Sequence, residues 1–125
     1  MKYTQFEELP VWNSAVELTV KTFEVCEDRS FDRQGDFRFQ LGKCGLSIPN
    51  NIAEGFERMT TKELIQFLHI SRGSAGEFRS MLHVMGRMQR FAHLEPQRQQ
   101  MLKDVISISK QLKGWSDNLK SRLKT

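Results

Sequence analysis

The sequence has little of what punctuates or cross-links a chain. Its 125 residues include 2 cysteines, 3 prolines, 8 glycines and a single tyrosine. Two cysteines cannot build a disulfide framework, so a reducing compartment, the cytoplasm, is expected. So few prolines and glycines exclude collagen-like and low-complexity chains. No stretch approaches the ~18 apolar residues of a membrane span, and no membrane partner is expected. The N-terminal run from Met1 to Glu8 lacks the apolar segment of a secretory signal. What is present is 38% hydrophobic and 27% charged. That is enough apolar material for one core, expected as one domain over residues 1–125.

The formal net charge is +4, and it is unevenly spread. Residues 1–30 carry 3 basic and 6 acidic side chains, and residues 31–58 carry 4 of each. Residues 59–93 carry 5 basic and 2 acidic, and residues 94–125 carry 7 and 3. The positive charge therefore lies in the second half, where it either attracts phosphates or forms a solvated helix surface.

Apolar residues recur every three or four positions in four segments, which marks an all-α chain. The first expected helix covers about 10–29, with Val11, Ala15, Leu18, Thr22 and Cys26 on one stripe and Trp12, Val16, Val20 and Phe23 widening it. Pro10 suits a first helical turn. A polar loop is expected from Asp28 to Asp36, with Gly35 as a breaker. The second helix, about 37–58, carries Leu41, Cys44, Ile48, Ile52 and Phe56 in register, but also Gly42, Gly45, Pro49 and Gly55. Pro49 removes a bond to the carbonyl of residue 45, so this helix is expected to kink there, or to divide in two near Ser47. Thr60 and Glu63 form a capping pattern opening a third helix over about 61–91, with Leu64, Phe67, Ser71, Phe78, Leu82 and Met85 on its core stripe. The fourth, about 96–124, opens at Pro96 and shows the cleanest seam: Leu102, Val105, Ser109, Leu112, Ser116, Leu119 and Leu123. Ile106, Ile108 and Trp115 fall off it as a second apolar flank. Long helices with short loops give an antiparallel up-down-up-down four-helix bundle. If the second and third helices form a hairpin about residue 60, Gly45 faces Ala75, Ser47 faces Arg72 and Gly73, and Lys43 can pair with Glu77.

Chemistry-bearing motifs are absent. The residues three before His69, His83 and His93 are Gln66, Ser80 and Arg90, so the Glu-x-x-His pattern of di-metal bundles is missing. No Cys-x-x-Cys, His-Glu-x-x-His or Walker loop occurs. Cys26 and Cys44 lie on apolar stripes and read as buried thiols. No metal, cofactor or enzymatic activity is expected. One polar stripe does stand out: Ser47, Asn51, Glu54 and Arg58 step by 4, 3 and 4. With Arg72, Ser74 and Glu77 it forms either a structural network of hydrogen bonds and ion pairs or a subunit contact or ligand pocket.

These residues carry a resemblance. Phe6 to Trp12, Phe-Glu-Glu-Leu-Pro-Val-Trp, resembles the opening F-x-x-L-x-V-W of the four-helix bundle proteins encoded by 23S ribosomal RNA intervening sequences. Gln40-Leu41, then Ser47-Ile-Pro-Asn-Asn-Ile-Ala-Glu-Gly55, is similar to that family's central motif, Q-L-R-R-A-x-x-S-I-P-x-N-I-A-E-G. Arg58, Lys62-Glu63, Phe67-Leu68, Arg72-Gly73-Ser74 and Glu77 continue it. The departure is Gly42-Lys43-Cys44-Gly45, where the family has Arg-Arg-Ala and this chain loses one arginine. The resemblance implies a bundle that assembles with itself as a homopentamer. It also implies RNA or DNA as a partner, because the family's genes can lie within ribosomal RNA. Related accessory proteins of diversity-generating retroelements imply an alternative, a scaffold for a protein partner such as a reverse transcriptase.

The candidate nucleic-acid contacts are Arg72, Arg79, Arg87 and Arg90 on the third helix and Lys103, Lys110, Lys113, Lys120, Arg122 and Lys124 on the fourth. Arg72, Arg79 and Arg90, separated by 7 and 11, are expected to share a face. No aromatic platform accompanies them, so binding is expected to be salt-sensitive and sequence-tolerant. Ser47, Pro49, Asn51, Glu54, Arg58 and Glu77 are the candidate structural or subunit contacts.

Overall fold

In the computed structural model, which describes residues 2–123, the periodic segments form four α-helices packed against one another. They are α1 (Pro10–Val25), α2 (Gly35–Glu57), α3 (Thr61–Gly86) and α4 (Glu95–Leu123). No strand occurs among the described residues. Lys124, the last residue of the expected fourth helix, lies outside them. No described helix is long and apolar enough to cross a membrane.

Local sequence explains most of the helix ends. Pro10 takes the first position of α1. The Thr60 hydroxyl accepts from the Glu63 backbone N–H at 3.1 Å and caps α3. Gly35 does not break the chain but opens α2, and α1 ends at Val25, earlier than its periodicity suggests. The segment between them is not simply a polar loop. A short 3-10 turn at Arg29–Phe31 drives Phe31 into the core, where it is 1% exposed. Phe31 packs on Phe91, ring centroids 4.7 Å apart, with Phe37 beside both. Asp28 caps this turn by accepting from Ser30 N–H and Oγ.

α2 is one helix through Pro49, not two short ones. Pro49 has no N–H to offer the Gly45 carbonyl. The buried Thr19 hydroxyl of α1 lies 3.1 Å from that carbonyl and donates to it, while also lying 2.8 Å from the Ala15 carbonyl. A neighbouring helix thus supplies the partner that the α2 ladder lacks.

Along the α2–α3 contact, residue numbers rise on one helix as they fall on the other. Phe78 lies against Gly45, Ser74 against Cys44 and Ser47, Ser71 against Ile48, and Phe67 and Leu64 against Gly55. These pairs carry the close approach expected for Gly45, with Phe78 rather than Ala75 as its nearest neighbour. The core stripe of α4 differs from the expected seam. Met101, Val105, Ile108, Leu112, Ser116 and Leu119 are buried, whereas Leu102 and Ser109 are half-buried and Leu123 is exposed. Ile108, assigned by periodicity to an outer flank, is a core residue at 1% exposure.

Candidate nucleic-acid interface

Along the middle of α3 the residues that border α4 at the surface are small or basic. Arg72, Gly73, Gly76 and Arg79, with His69, Ala75, Val105 and Ser109, line an open groove of about 380 Å³. A Cβ added at Gly73 or Gly76 would meet nothing within 4 Å, so these glycines leave the groove empty and do not serve tight packing. Arg72 and Arg79 therefore flank a shallow trough in which a phosphate could lie between two guanidinium groups.

Around this groove α4 adds cations. Lys113 pairs with Asp117 one turn on, Nζ to Oδ2 at 2.6 Å. That hydrogen bond holds the Asp117 carboxyl below its ordinary range, and the charges of Lys113, Lys120 and Arg72 add to the effect. Arg72, Lys113 and Lys120 are therefore gathered about one carboxylate, a net excess of positive charge. Lys103 and Lys110 are exposed on the same helix.

The structure separates the other two arginines from this group. Arg87 is the C-cap of α3, beyond the groove. Arg90 shares no helical face with Arg72 and Arg79, because α3 ends at Gly86 and Arg90 sits in the 3-10 stretch Gln89–Leu94. Its Nε donates to the Ser30 carbonyl at 2.7 Å and its Nη2 to the Asp32 carbonyl at 3.1 Å. Beside it His93 Nε2 lies 2.8 Å from Asp28 Oδ1. Arg90 and His93 thus tie the two loops at this end of the bundle, a role that helical spacing had hidden.

The polar stripe of α2 is a knit structure. The Ser47 and Ser74 hydroxyls share a 2.7 Å hydrogen bond, and Asn51 Nδ2 donates to the Ser47 carbonyl and hydroxyl at 2.8 and 3.1 Å. Ser71, fully buried, donates to the Ile48 carbonyl at 2.8 Å. Arg72, expected to face Ser47, instead lines the groove on the α4 side; Ser74 takes that place. Arg58 bridges Glu54 at 2.8 Å and Glu63 at 3.6 Å, and its guanidinium lies 4.9 Å from the Phe67 ring centroid. Lys43 extends over the Phe39 ring, 5.8 Å from its centroid, and not to an ion pair with Glu77. Cys44 donates its thiol to the Ser74 carbonyl at 3.1 Å. Burial, and then the Glu77 charge, push that thiol up to about 11, and burial also raises Cys26. Neither thiol is primed as a nucleophile.

The Ser-Ile-Pro-x-Asn-Ile-Ala-Glu-Gly run is thus held by contacts that depend on its particular residues. The sequence profile described as 23S rRNA-intervening sequence protein matches residues 7–114. The chain belongs to this family. No curated protein matches it. In this 23S rRNA-intervening sequence protein, the departure at Gly42 has a visible counterpart. The Phe23 ring lies against Gly42, 2.9 Å from where a Cβ would stand. An arginine at that position would have to displace Phe23.

Sequence reasoning missed one constellation. The N-terminal segment, fixed by the Phe6 ring edge-on against Trp12 at 5.1 Å, brings Lys2 and Tyr3 over α4 beside Trp115 and Arg122. Only the off-seam position of Trp115 hinted at it. Among the described residues no group of three His, Cys, Asp or Glu side chains gathers to hold a metal ion.

Proposed function

We propose that this protein is a non-enzymatic, homo-oligomeric bundle protein, pentameric as the family resemblance implies, that binds RNA or other nucleic acid. Binding runs through the basic surfaces of α3 and α4 in the cytoplasm. In this reading the helices form an antiparallel up-down-up-down bundle, and α2 bends at Pro49. The observation that carries the binding reading is the groove between α3 and α4. It is flanked by Arg72 and Arg79 and left open by Gly73 and Gly76, and Arg72 acts with Lys113 and Lys120 on the Asp117 carboxylate.

Fluorescence anisotropy with single-stranded RNA over a salt series tests it. Log affinity should fall linearly with log salt, by about 0.7 per phosphate contact for a single strand. Arg72→Glu with Arg79→Glu should weaken binding and lower the slope by about 1.4. Absence of binding at low salt, or a salt-independent affinity, would reject the reading.

Self-association is supported by apolar side chains left in solvent where α1 meets α2. Val20, Phe23, Phe39 and Leu46 are 53%, 49%, 65% and 43% exposed. Phe23, Phe39 and Leu46 line one groove there. This surface lies on α1 and α2. Phe39→Glu should shift the particle to smaller mass in sedimentation equilibrium. An unchanged mass would remove this face from the assembly.

The same apolar groove favours a second reading, a scaffold for a protein partner such as a nucleic-acid enzyme. Recovery of one stoichiometric protein after nuclease treatment, lost in Phe39→Glu, would favour it over the first.

A further inference from the structure

Between the N-terminal segment and the C-terminal half of α4 lies a cavity of about 330 Å³, at the lower end of the ~300–1,000 Å³ range of small-ligand sites. Its α4 wall carries Gln111, Trp115, Asn118 and Arg122, which step by 4, 3 and 4 and so form one stripe. Lys2 and Tyr3 line it from the N-terminal segment. The floor is apolar, with Leu9 and Leu119 buried beneath.

We propose that this cavity receives one unpaired base of a single-stranded nucleic acid, with its phosphate at Lys2 and Arg122. The inference rests on the nucleic-acid reading above and adds a base-holding site to it. Three features select this occupant. The Tyr3 and Trp115 rings supply π surfaces, and among the described residues neither pairs with another aromatic ring. The Gln111 and Asn118 amides each offer donors and an acceptor, the complement of a base edge. The two cations attract an anion and disfavour a neutral apolar guest. A strand fits better than a free nucleotide because of α4 itself. At 3.6 residues per turn, Lys103 and Lys110 fall on the solvent face between this stripe and the one facing α3. A strand crossing that face could run from the arginine groove to the cavity. Stacking on the aromatic rings would add the base contact that the basic surface lacks.

The test uses the full chain, with binding read from the anisotropy of a labelled ten-nucleotide oligoadenylate. Quenching is followed in a Trp12→Phe chain, which keeps an aromatic ring against Phe6, leaves Trp115 the sole tryptophan and must bind the labelled oligonucleotide as the unaltered chain does. A ten-nucleotide oligoadenylate and AMP are titrated while Trp115 fluorescence is followed. Saturable quenching by the oligonucleotide is expected, with AMP at least 10-fold weaker. Trp115→Leu, and separately the exposed Asn118→Ala, each made in the unaltered chain and read by the anisotropy of the labelled oligonucleotide, should weaken oligonucleotide binding by roughly 10-fold with the salt slope unchanged. The second variant keeps the test valid if the first disturbs folding. Oligonucleotide binding with no quenching, and with both variants like the parent, overturns the base site and leaves the basic-surface reading standing. Quenching by AMP with no oligonucleotide binding overturns the strand and the nucleic-acid reading together. Equal quenching by indole and AMP also overturns the proposal, because the phosphate contact would then contribute nothing.

Discussion

α3 meets α2 on one side and α4 on the other, and the glycines along its middle serve different ends on the two sides. On α2, a Cβ at Gly55 would stand 2.7 Å from Phe67 Cβ, and one at Gly45 3.2 Å from the Phe78 ring. On the α4 side the glycines divide: a Cβ at Gly86, the last residue of α3, would stand 2.6 Å from the Arg98 guanidinium, whereas Gly73 and Gly76 in the middle of α3 meet nothing within 4 Å. The first set lets two helices close on each other. Gly73 and Gly76 keep a trough open between arginines. A glycine count treats both alike; only the neighbour across the contact distinguishes a packing residue from a vacant floor.

The sharpest way to break this comparison is Gly55→Val. The obstructing atom is Phe67 Cβ, fixed to its backbone, so the helices must separate. Urea unfolding should show a loss of about 3 kcal/mol, the upper part of the overpacking range. A loss below 1 kcal/mol would mean that the contact yields easily.

Next comes the partner of the carbonyl freed by Pro49. Thr19→Val leaves the Gly45 carbonyl without the Thr19 hydroxyl and should cost about 1–3 kcal/mol. In a Pro49→Ala background, an N–H again points at that carbonyl, and the cost of Thr19→Val should shrink. A double-mutant cycle with no coupling would show that Thr19 acts only through Ala15.

On the open side the sign reverses. Gly73→Ala and Gly76→Ala add a methyl group where nothing stands and improve helix propensity. Each should stabilise the fold by about 0.5–1 kcal/mol in the same unfolding experiment. A destabilised Gly76→Ala would mean that the trough is packed after all.

The smallest effect belongs to two half-buried carboxylates at the loop end. Hydrogen bonds from Ser30, then His93, hold Asp28 at about 2, and those from Arg98 and Gln99 do the same for Glu95. Both values lie below the unfolded ones. Their contribution is therefore complete above about pH 4 and lost as pH falls through about 2. Asp28→Asn and Glu95→Gln should flatten stability between those limits in acid titration followed by circular dichroism. An unchanged slope would show that neither carboxylate contributes.

Much of this architecture was legible along the chain. The helix periods of α1, α2 and α3 marked the buried residues Val11, Ala15, Leu18, Leu41, Ile48, Ile52, Leu64, Phe78 and Leu82. Thr60 was readable as a cap because capping acts within one turn. The seam of α4 was misread because two stripes of similar hydrophobicity lie side by side, and the choice of Ile108 over Ser109 depends on where α1 and α3 sit. The candidate site was legible in part. The spacing of 7 placed Arg72 and Arg79 on one face, but the same arithmetic enrolled Arg90, which the end of α3 at Gly86 diverts to the loop carbonyls. Lys43 and Glu77 had a plausible register, yet Lys43 lies over Phe39 on its own helix.

By itself the sequence determined four helical segments, a charge divided between acidic first and basic last quarters, and a motif specific enough to mark its family. Those properties are local or additive, so they survive without knowledge of neighbours. Tertiary structure alone decided which glycines are crowded and which are vacant, and that Thr19 serves a carbonyl of another helix. It also brought Tyr3 and Trp115, from opposite ends of the chain, to line one cavity. The reason is physical: these features are distances between atoms remote in sequence, set by how whole helices pack.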